Sequence, residues 1–178
     1  YAWFFRRESA SGVWEGLAYF SGRDVDPSAA GSFGSPVAVT SDAAYCAVGA
    51  RKQNNRAGRV YVFARGGGSG GEGAGSGASW AVRAQFDPPA PLVTTPDAEF
   101  AWSIGLTNDW LVCGSQTLSR VWLYENSGGD WQPLLGNQGF VENYPEESHF
   151  GQAVAVSGDT MLVGDYNARY PGGVFNSG

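Results

Sequence analysis

The feature that most constrains the fold of this chain is a set of landmarks that occurs three times. Each copy begins with a phenylalanine and a small residue, has an aspartate nine residues after the phenylalanine, and closes a second apolar run with a glycine. In chain order the landmarks are Phe33, Asp42 and Gly49, then Phe100, Asp109 and Gly114, then Phe150, Asp159 and Gly164. Such regular self-similarity indicates a repeated structural unit.

The repeat has a period of about fifty residues. Phe100 and Phe150 are 50 residues apart, while the 67 residues from Phe33 to Phe100 include the Gly/Ser-rich tract 66–79. A tryptophan precedes each repeat phenylalanine by 19 or 20 residues, at Trp14, Trp80 and Trp131. A period near 50 with several short strands per unit is typical of a β-propeller, whose units are called blades.

Within each unit the apolar residues alternate, as in Val37 and Val39 or Val154 and Val156, and the runs are short. This is the periodicity of β-strands, and no sustained helical stripe accompanies it. The repeat aspartates lie where a tight hairpin joins the first two strands. We therefore predict an all-β fold of four-stranded antiparallel meanders, with thirteen short strands and less than a tenth of the residues helical.

The repeat phenylalanines and glycines have predicted structural roles. Propeller blades are covered on both faces by their neighbours, so Phe33, Phe100 and Phe150 are expected to be buried plugs between blades. The small residue after each phenylalanine, as at Gly34 and Gly151, would let backbone approach closely. Glycine at the end of the second strand would help the chain to turn out of the sheet. These glycines are Gly49, Gly114 and Gly164.

The landmarks divide residues 1–178 into parts of a partial propeller. Residues 1–32 are predicted to hold the third and fourth strands of one blade, and residues 33–99 a blade with the Gly/Ser insertion 66–79. Residues 100–149 are predicted to form another blade, and residues 150–178 an incomplete one. We expect a segment of a larger ring, and we expect the insertion to be mobile and dispensable.

The stretch "FGQAVAVSGDTMLVGDYNARYPGGVF" at 150–175 resembles an FG-GAP repeat, the blade unit of integrin α-subunit propellers and of many surface proteins. The copies beginning at Phe33 and Phe100 match more loosely. The resemblance implies a ring of seven blades. It also implies that protein ligands dock on the face formed by the connections from strand 2 to 3 and from strand 4 to 1.

Composition excludes several classes of function. The net charge is −6 and the pI about 4.6, whereas a nucleic-acid-binding surface needs clustered positive charge. No apolar run approaches the eighteen or so residues of a membrane-spanning helix, so we expect no membrane insertion of this segment. Cys46 and Cys113 fall in equivalent strands of different units, which favours two buried free thiols over a disulfide.

Catalytic, metal and cofactor sites are not predicted. The strand 1 to 2 hairpins "TSDA", "TNDW" and "SGDT" offer one carboxylate each, too few for the six to eight oxygens that calcium takes. We expect their aspartates to hydrogen-bond their own turns. His149 is the only histidine and is interpreted as a loop residue. The "GGGSGG" motif at 66–71 lacks a following helix pattern and is interpreted as part of the insertion.

Charged loops are the candidate partner-binding residues. The connections from strand 2 to 3 carry cations, and those from strand 4 to 1 carry acidic pairs, so both signs would share one face. They could equally neutralise one another as exposed ion pairs. The candidates are Arg51, Lys52, Arg56, Asp97, Glu99, Glu146 and Glu147.

Two classes of function follow. The first is a non-enzymatic interaction or adhesion module of a secreted or cell-surface protein, which binds another protein or a glycan through its face loops. The second is an architectural subunit of a filament, cell wall or ciliary assembly, packed through its blade edges. An enzyme is disfavoured because the segment shows no cluster of acids or histidines. Fold by itself does not decide between these classes.

Overall fold

The computed structural model describes residues 1–26, 32–66, 80–134, 139–141 and 148–166. This part of the chain is all-β, as predicted. Its helical elements are two four-residue helices, α1 (Gly22–Val25) and α2 (Gln53–Arg56), and a 3-10 turn over Leu92–Thr94. No helix within the described residues is long and apolar enough to cross a membrane. The insertion at 66–79 lies outside the described residues except for Gly66, as do Glu146 and Glu147.

Within the described residues, thirteen strands form four antiparallel sheets. The first sheet pairs two strands, the second and third are meanders in sequence order, and the fourth pairs two strands. The strands are β1 (Ala2–Arg7) and β2 (Trp14–Phe20) in the first sheet; β3 (Phe33–Val39), β4 (Tyr45–Ala50), β5 (Val60–Arg65) and β6 (Trp80–Phe86) in the second; β7 (Ser103–Leu106), β8 (Trp110–Ser115), β9 (Arg120–Ser127), β10 (Asp130–Pro133) and β11 (Phe140–Val141) in the third; and β12 (Ala153–Ser157) and β13 (Thr160–Gly164) in the fourth.

The described residues hold thirteen strands, the number predicted for the whole chain, but these strands are distributed differently. β10 and β11 both pair with β9, one along Tyr124–Ser127 and the other beside Arg120 and Val121, so the outer strand of the third sheet is split in two. The third strand predicted for the last unit, at 172–175, lies outside the described residues. The meander architecture is that expected of propeller blades, and the number of blades in a ring stays a prediction.

The landmark tryptophans occupy equivalent positions in the sheets. The β1–β2 and β5–β6 pairs share one register, including a register shift between Phe4 and Phe5 of β1 and between Val62 and Phe63 of β5. Each landmark tryptophan pairs with the same position of the neighbouring strand. The pairs are Trp14 with Arg7, Trp80 with Arg65, and Trp131 with Asn126. This register makes β1 and β2 the equivalents of β5 and β6, the third and fourth strands of the second sheet.

Two hydrophobic cores lie between successive sheets. One joins the β1–β2 sheet to the β3–β6 sheet, and the other joins the β3–β6 sheet to the β7–β10 sheet. Alternate side chains of β5 enter different cores, Tyr61 and Phe63 the first, Val60 and Val62 the second. The β12 strand packs in turn against β7 and β8. Apolar side chains on both faces of a strand are therefore explained by neighbouring sheets on both sides.

The prediction of a buried phenylalanine plug holds fully at one of the three positions. Phe100 is completely buried and meets the Trp122 ring edge-on at 5.1 Å between centroids. Phe33 is half-buried, with its ring 5.7 Å from that of Tyr61, and Phe150 is also half-buried. Phe33 packs at the edge of the core between the first and second sheets, and both Phe33 and Phe150 are less enclosed than Phe100.

The small residue after each phenylalanine has a left-handed backbone. The φ values are +99° at Gly34, +62° at Ala101 and +88° at Gly151. Glycine adopts this region without steric cost, whereas alanine is strained in it. A Cβ at Gly34 would also lie 2.2 Å from the Tyr1 carbonyl oxygen, so the close backbone approach predicted there is confirmed.

The glycines near the end of the second strand of each unit are the last or next-to-last strand residue, and two of them also permit contact between units. A Cβ at Gly114 would lie 2.1 Å from the carbonyl oxygen of Gly151, the residue after the next repeat phenylalanine. A Cβ at Gly49 would lie 3.1 Å from the carbonyl oxygen of Ala101, at the equivalent point one unit earlier, and 2.7 Å from the Pro36 ring. Gly164 ends β13 with only ordinary contacts around it. Close packing of successive units thus explains why positions 49 and 114 are glycine.

The two cysteines are free and buried, as predicted. Burial raises the pKa of the Cys46 thiol to about 12 and raises the pKa of the Cys113 thiol as well. Both groups are therefore uncharged core side chains at neutral pH.

Candidate functional site

Three connecting segments come together beside the second sheet. They are residues 21–26, which include α1, residues 51–59, which include α2, and residues 87–99. We call these segments the loop face. Backbone hydrogen bonds join two of them, because Glu99 N–H donates to the Arg56 carbonyl and Phe100 N–H donates to the Ala57 carbonyl, both at 2.8 Å. Segments distant in sequence are thereby held as one surface.

Arg56 is paired with two carboxylates from the neighbouring loop. Its Nε lies 2.9 Å from Asp97 Oδ1, and its guanidinium donates to Glu99 Oε1 at 2.6 Å. The hydrogen bond with Glu99 and the charge of Asp97 raise the pKa of Arg56. Glu99 is buried, whereas the side chains of Arg56 and Asp97 are 51% and 57% exposed. Charge neutralisation within the loop face therefore holds for three of the candidate partner-binding residues.

Arg59 is a largely enclosed cation of the loop face, and sequence reasoning did not single it out. Its guanidinium donates two hydrogen bonds to Asp87, at 2.6 and 2.7 Å, and a third to Asp26 Oδ2 at 2.7 Å. The side chain is only 15% exposed, and its hydrogen bonds to Asp87 are the main cause of its raised pKa. One sequence feature could have marked Arg59 as a structural residue. An arginine opens both equivalent runs, Arg59 in "RVYVF" and Arg120 in "RVWLY".

Gln53 and Tyr61 extend this network into the core. The buried Gln53 amide donates to Asp26 Oδ2 at 2.9 Å and accepts a hydrogen bond from the Tyr61 hydroxyl at 2.8 Å. Three consecutive residues of this loop, Asn54, Asn55 and Arg56, have φ values of +53°, +56° and +65°. Asparagine tolerates this region better than most residues, and the surrounding hydrogen bonds hold the arginine in it.

The remaining candidate residues of this loop face are differently placed. Arg51 is half-buried, with its guanidinium 4.3 Å from the centre of the Trp102 ring, a cation–π distance. Lys52 is exposed. The structure thus brings Arg51, Lys52 and Arg56 onto one loop. Their role in partner binding stays a prediction.

The equivalent loops farther along the chain are locked by short polar side chains. Ser115 Oγ donates to the Ala98 carbonyl at 2.5 Å. At the equivalent position after β13, Asp165 accepts hydrogen bonds from the Ser148 hydroxyl and from the His149 backbone N–H. The His149 ring instead packs against Tyr166, at 4.5 Å between centroids. Asp165 therefore binds the backbone of His149, in an arrangement different from a Ser-His-Asp triad.

The hairpin turns between first and second strands are held by local hydrogen bonds. Asp42 accepts from Ala44 N–H at 3.0 Å, from the Thr40 hydroxyl at 2.8 Å and from the Asn108 amide of the next unit at 2.9 Å. The Ala44 bond is the largest cause of its lowered pKa. In the Asp109 turn the Thr107 hydroxyl accepts the backbone N–H groups instead. The expected hydrogen bonding of an aspartate to its own turn thus holds at Asp42. In the next unit the Thr107 hydroxyl accepts these backbone hydrogen bonds.

Acidic side chains of the loop face form ion pairs with arginine. Within the described residues, no three or more His, Cys, Asp or Glu side chains are grouped so that they could hold a metal ion. The loop-face carboxylates are instead directed at Arg56 and Arg59.

Comparison with known proteins places one repeat family on this chain. Residues 145–178 match the FG-GAP repeat. The described part of the match contains Phe150, Gly151 and the β12–β13 hairpin. No curated protein matches the chain. The FG-GAP resemblance of the last copy is thus confirmed, and the register shared by β1–β2 and β5–β6 supports a common unit in the other sheets.

Proposed function

We propose that this FG-GAP repeat chain is a non-enzymatic interaction module of a secreted or cell-surface protein, and that it binds another protein or a glycan through its loop face. The observation that carries the proposal is the convergence of residues 21–26, 51–59 and 87–99, tied together by Arg56 and Arg59. Loops fixed in this way lose little conformational entropy when a partner binds.

The loop face supplies fixed charges of both signs. Lys52 is exposed, and the partly exposed Arg56 and Asp97 present a positive and a negative group 2.9 Å apart. Such a surface recognises a partner by electrostatic complementarity, which contributes to specificity and association rate. Because these groups face solvent, binding should weaken as the salt concentration rises.

An affinity capture with matched charge reversals tests this function. The wild-type chain, a Lys52→Glu variant and an Arg65→Glu control would be immobilised and exposed to the same cell-surface extract. Arg65 is exposed at the end of β5, outside the loop face. We expect a partner that binds the wild-type and control chains and is depleted about tenfold on Lys52→Glu, a loss of about 1.4 kcal/mol. Equal capture by all three chains would contradict the proposal.

An architectural role is the second candidate, favoured by a different observation. The aromatic side chains of Trp3, Phe5 and Trp14 on the first sheet are 61%, 57% and 66% exposed. Large exposed apolar surfaces mark sites of protein association. A subunit that packs laterally through its sheets would form concentration-dependent assemblies that retain their size in the Lys52→Glu variant. Sedimentation velocity of both chains distinguishes this role from loop-face binding.

A further inference from the structure

Two consecutive cations of the loop face have no counter-ion from the chain. Among the described residues, neither Arg51 nor Lys52 lies within salt-bridge distance of a carboxylate, whereas Arg56 and Arg59 are each paired with two. Lys52 is exposed and Arg51 is half-buried. In a chain with a net charge of −6, these two residues form a local excess of positive charge beside arginines that are neutralised.

The Trp102 ring holds the Arg51 side chain in place. The guanidinium carbon lies 4.3 Å over the centre of this ring, a cation–π contact between the segment that follows β4 and the segment that precedes β7. Arg51 Nε is buried and has no hydrogen-bond partner within the part of the chain that the structure describes. A guanidinium on a ring face keeps the N–H donors of its own plane for an acceptor. Arg51 is therefore oriented, and its charge is left for a ligand.

The fold does not require a cation and an indole at this junction between units. The junction between the third and fourth sheets repeats the close backbone approach found between the second and third. In place of Arg51 it carries Gln116, two residues after the glycine of its second strand. In place of Trp102 it carries Gln152, two residues after its repeat phenylalanine, and all four side chains are half-buried. The arginine and tryptophan thus belong to one junction, which favours a binding role over a packing role.

We propose that Arg51 and Lys52 bind the carboxylate or sulfate groups of an anionic polysaccharide, which rests on the proposed function of the loop face and identifies the class of its partner. The guanidinium fork of Arg51 matches either oxyanion with two parallel N–H···O hydrogen bonds. The ammonium of Lys52 adds a second charge on a flexible stem, which can reach the next anionic group of the same polymer.

The neighbouring side chains favour a polysaccharide over an acidic peptide. The exposed side chains of residues 51–59 belong to Lys52, Asn54, Asn55 and Arg56, and none of these is apolar. Amide groups both donate and accept hydrogen bonds, so they suit the hydroxyl groups of sugars. Protein partners instead bind mainly through aromatic and other anchors that fill desolvated pockets. Residues 51–56 offer cations and amides, which are the groups that an acidic sugar chain can use.

Biosensor binding with matched variants tests the proposal. Dextran sulfate and polygalacturonate would be immobilised, with uncharged dextran and polyglutamate as references, and each purified chain would be titrated at one ionic strength. The variants are Arg51→Gln and Arg51→Lys. Arg65→Gln is the control, because it removes the same charge from an exposed site at the end of β5, outside the loop face. Glutamine is the residue of the next unit at this position, and equal thermal unfolding of the variants shows that each is folded.

We expect wild-type chain to bind at least one of the anionic polysaccharides, and to bind dextran and polyglutamate much more weakly. Arg51→Gln should raise the Kd at least about tenfold, a loss of about 1.4 kcal/mol. Arg51→Lys keeps the charge without the planar fork and should raise the Kd roughly threefold, while Arg65→Gln should leave it nearly unchanged. The Kd values for dextran sulfate and polygalacturonate show whether sulfate or carboxylate is preferred.

Three results would overturn the proposal: no binding of either anionic polysaccharide, equal affinity for polyglutamate, or equal weakening by Arg51→Gln and Arg65→Gln. Capture of a partner on Lys52→Glu distinguishes this failure from failure of the proposed function. A partner still depleted on Lys52→Glu, without polysaccharide binding, contradicts the polysaccharide alone. Equal capture by all chains contradicts the proposed function itself.

Discussion

Replacing Phe100 with alanine gives the sharpest stability prediction. The ring is completely buried in the core between the second and third sheets and contacts Trp122 edge-on. Transfer of the side chain out of an apolar environment costs about 2 to 3 kcal/mol. If the surrounding sheets do not collapse, a cavity of roughly 100 Å³ adds about 2.4 kcal/mol at about 24 cal/mol per Å³.

The expected loss for Phe100→Ala is therefore about 3 to 5 kcal/mol, the lower value applying if the core relaxes into the space. Urea denaturation followed by tryptophan fluorescence measures it, since Trp122 is adjacent. Phe150→Ala is the matched comparison, because Phe150 holds the equivalent repeat position but is only half-buried, and we expect it to lose about 1 to 2 kcal/mol. A loss below about 1 kcal/mol for Phe100→Ala would refute the inter-sheet role of this ring.

Four further predictions concern single residues. Arg59→Ala should destabilise the chain by about 2 to 4 kcal/mol in chemical denaturation, because it removes the cation that neutralises the partly buried carboxylates of Asp26 and Asp87. Arg59→Lys should recover only part of the loss, since lysine cannot pair bidentately. Gly114→Ala should cost more than about 2 kcal/mol because its Cβ would strike a backbone carbonyl of the next unit, whereas Gly16→Ala, with only one ordinary contact at 3.8 Å, should change thermal stability little. The pKa of the Asp42 carboxyl is lowered in the fold, so this group stabilises the folded state above its ordinary pKa of 3.8. The contribution is lost as the pH falls through the lower folded pKa. The difference in unfolding free energy between wild type and Asp42→Asn should therefore shrink below pH 3.8 in acid titrations. The Cys46 thiol, with a pKa of about 12, should resist iodoacetamide at pH 8 in the folded chain and react at once in denaturant.

Much of the fold follows from sequence spacing because the landmarks have simple steric causes. The residue after each repeat phenylalanine has a positive φ, which restricts it to glycine or a tolerated alanine. Each landmark tryptophan faces one position of the neighbouring strand, so its spacing is set by the hairpin register. Constraints of this kind act locally and repeat with the unit, and they can be read from a single chain.

The details of the loop face could not be read in this way. Arg59 pairs with Asp26 and Asp87, which lie 33 and 28 residues away in sequence. Nothing in the local sequence of either aspartate indicates this pairing. Gln53 resembles an ordinary loop residue, yet its burial depends on the Tyr61 hydroxyl beneath it. Unequal burial of the three repeat phenylalanines likewise depends on which sheets surround each one. These properties arise from tertiary neighbours rather than from periodicity.

The claim that partners meet the loop face is tested most directly by hydrogen–deuterium exchange of the chain with and without a captured partner. We expect added protection to be concentrated in residues 51–56 and 97–99, where exposed groups such as Lys52 and Asp97 lie. Exchange in β1 and β2 should change less at partner concentrations that saturate binding. Protection confined to β1 and β2, with the loop-face amides unchanged, would contradict the account and assign binding to the sheet surfaces.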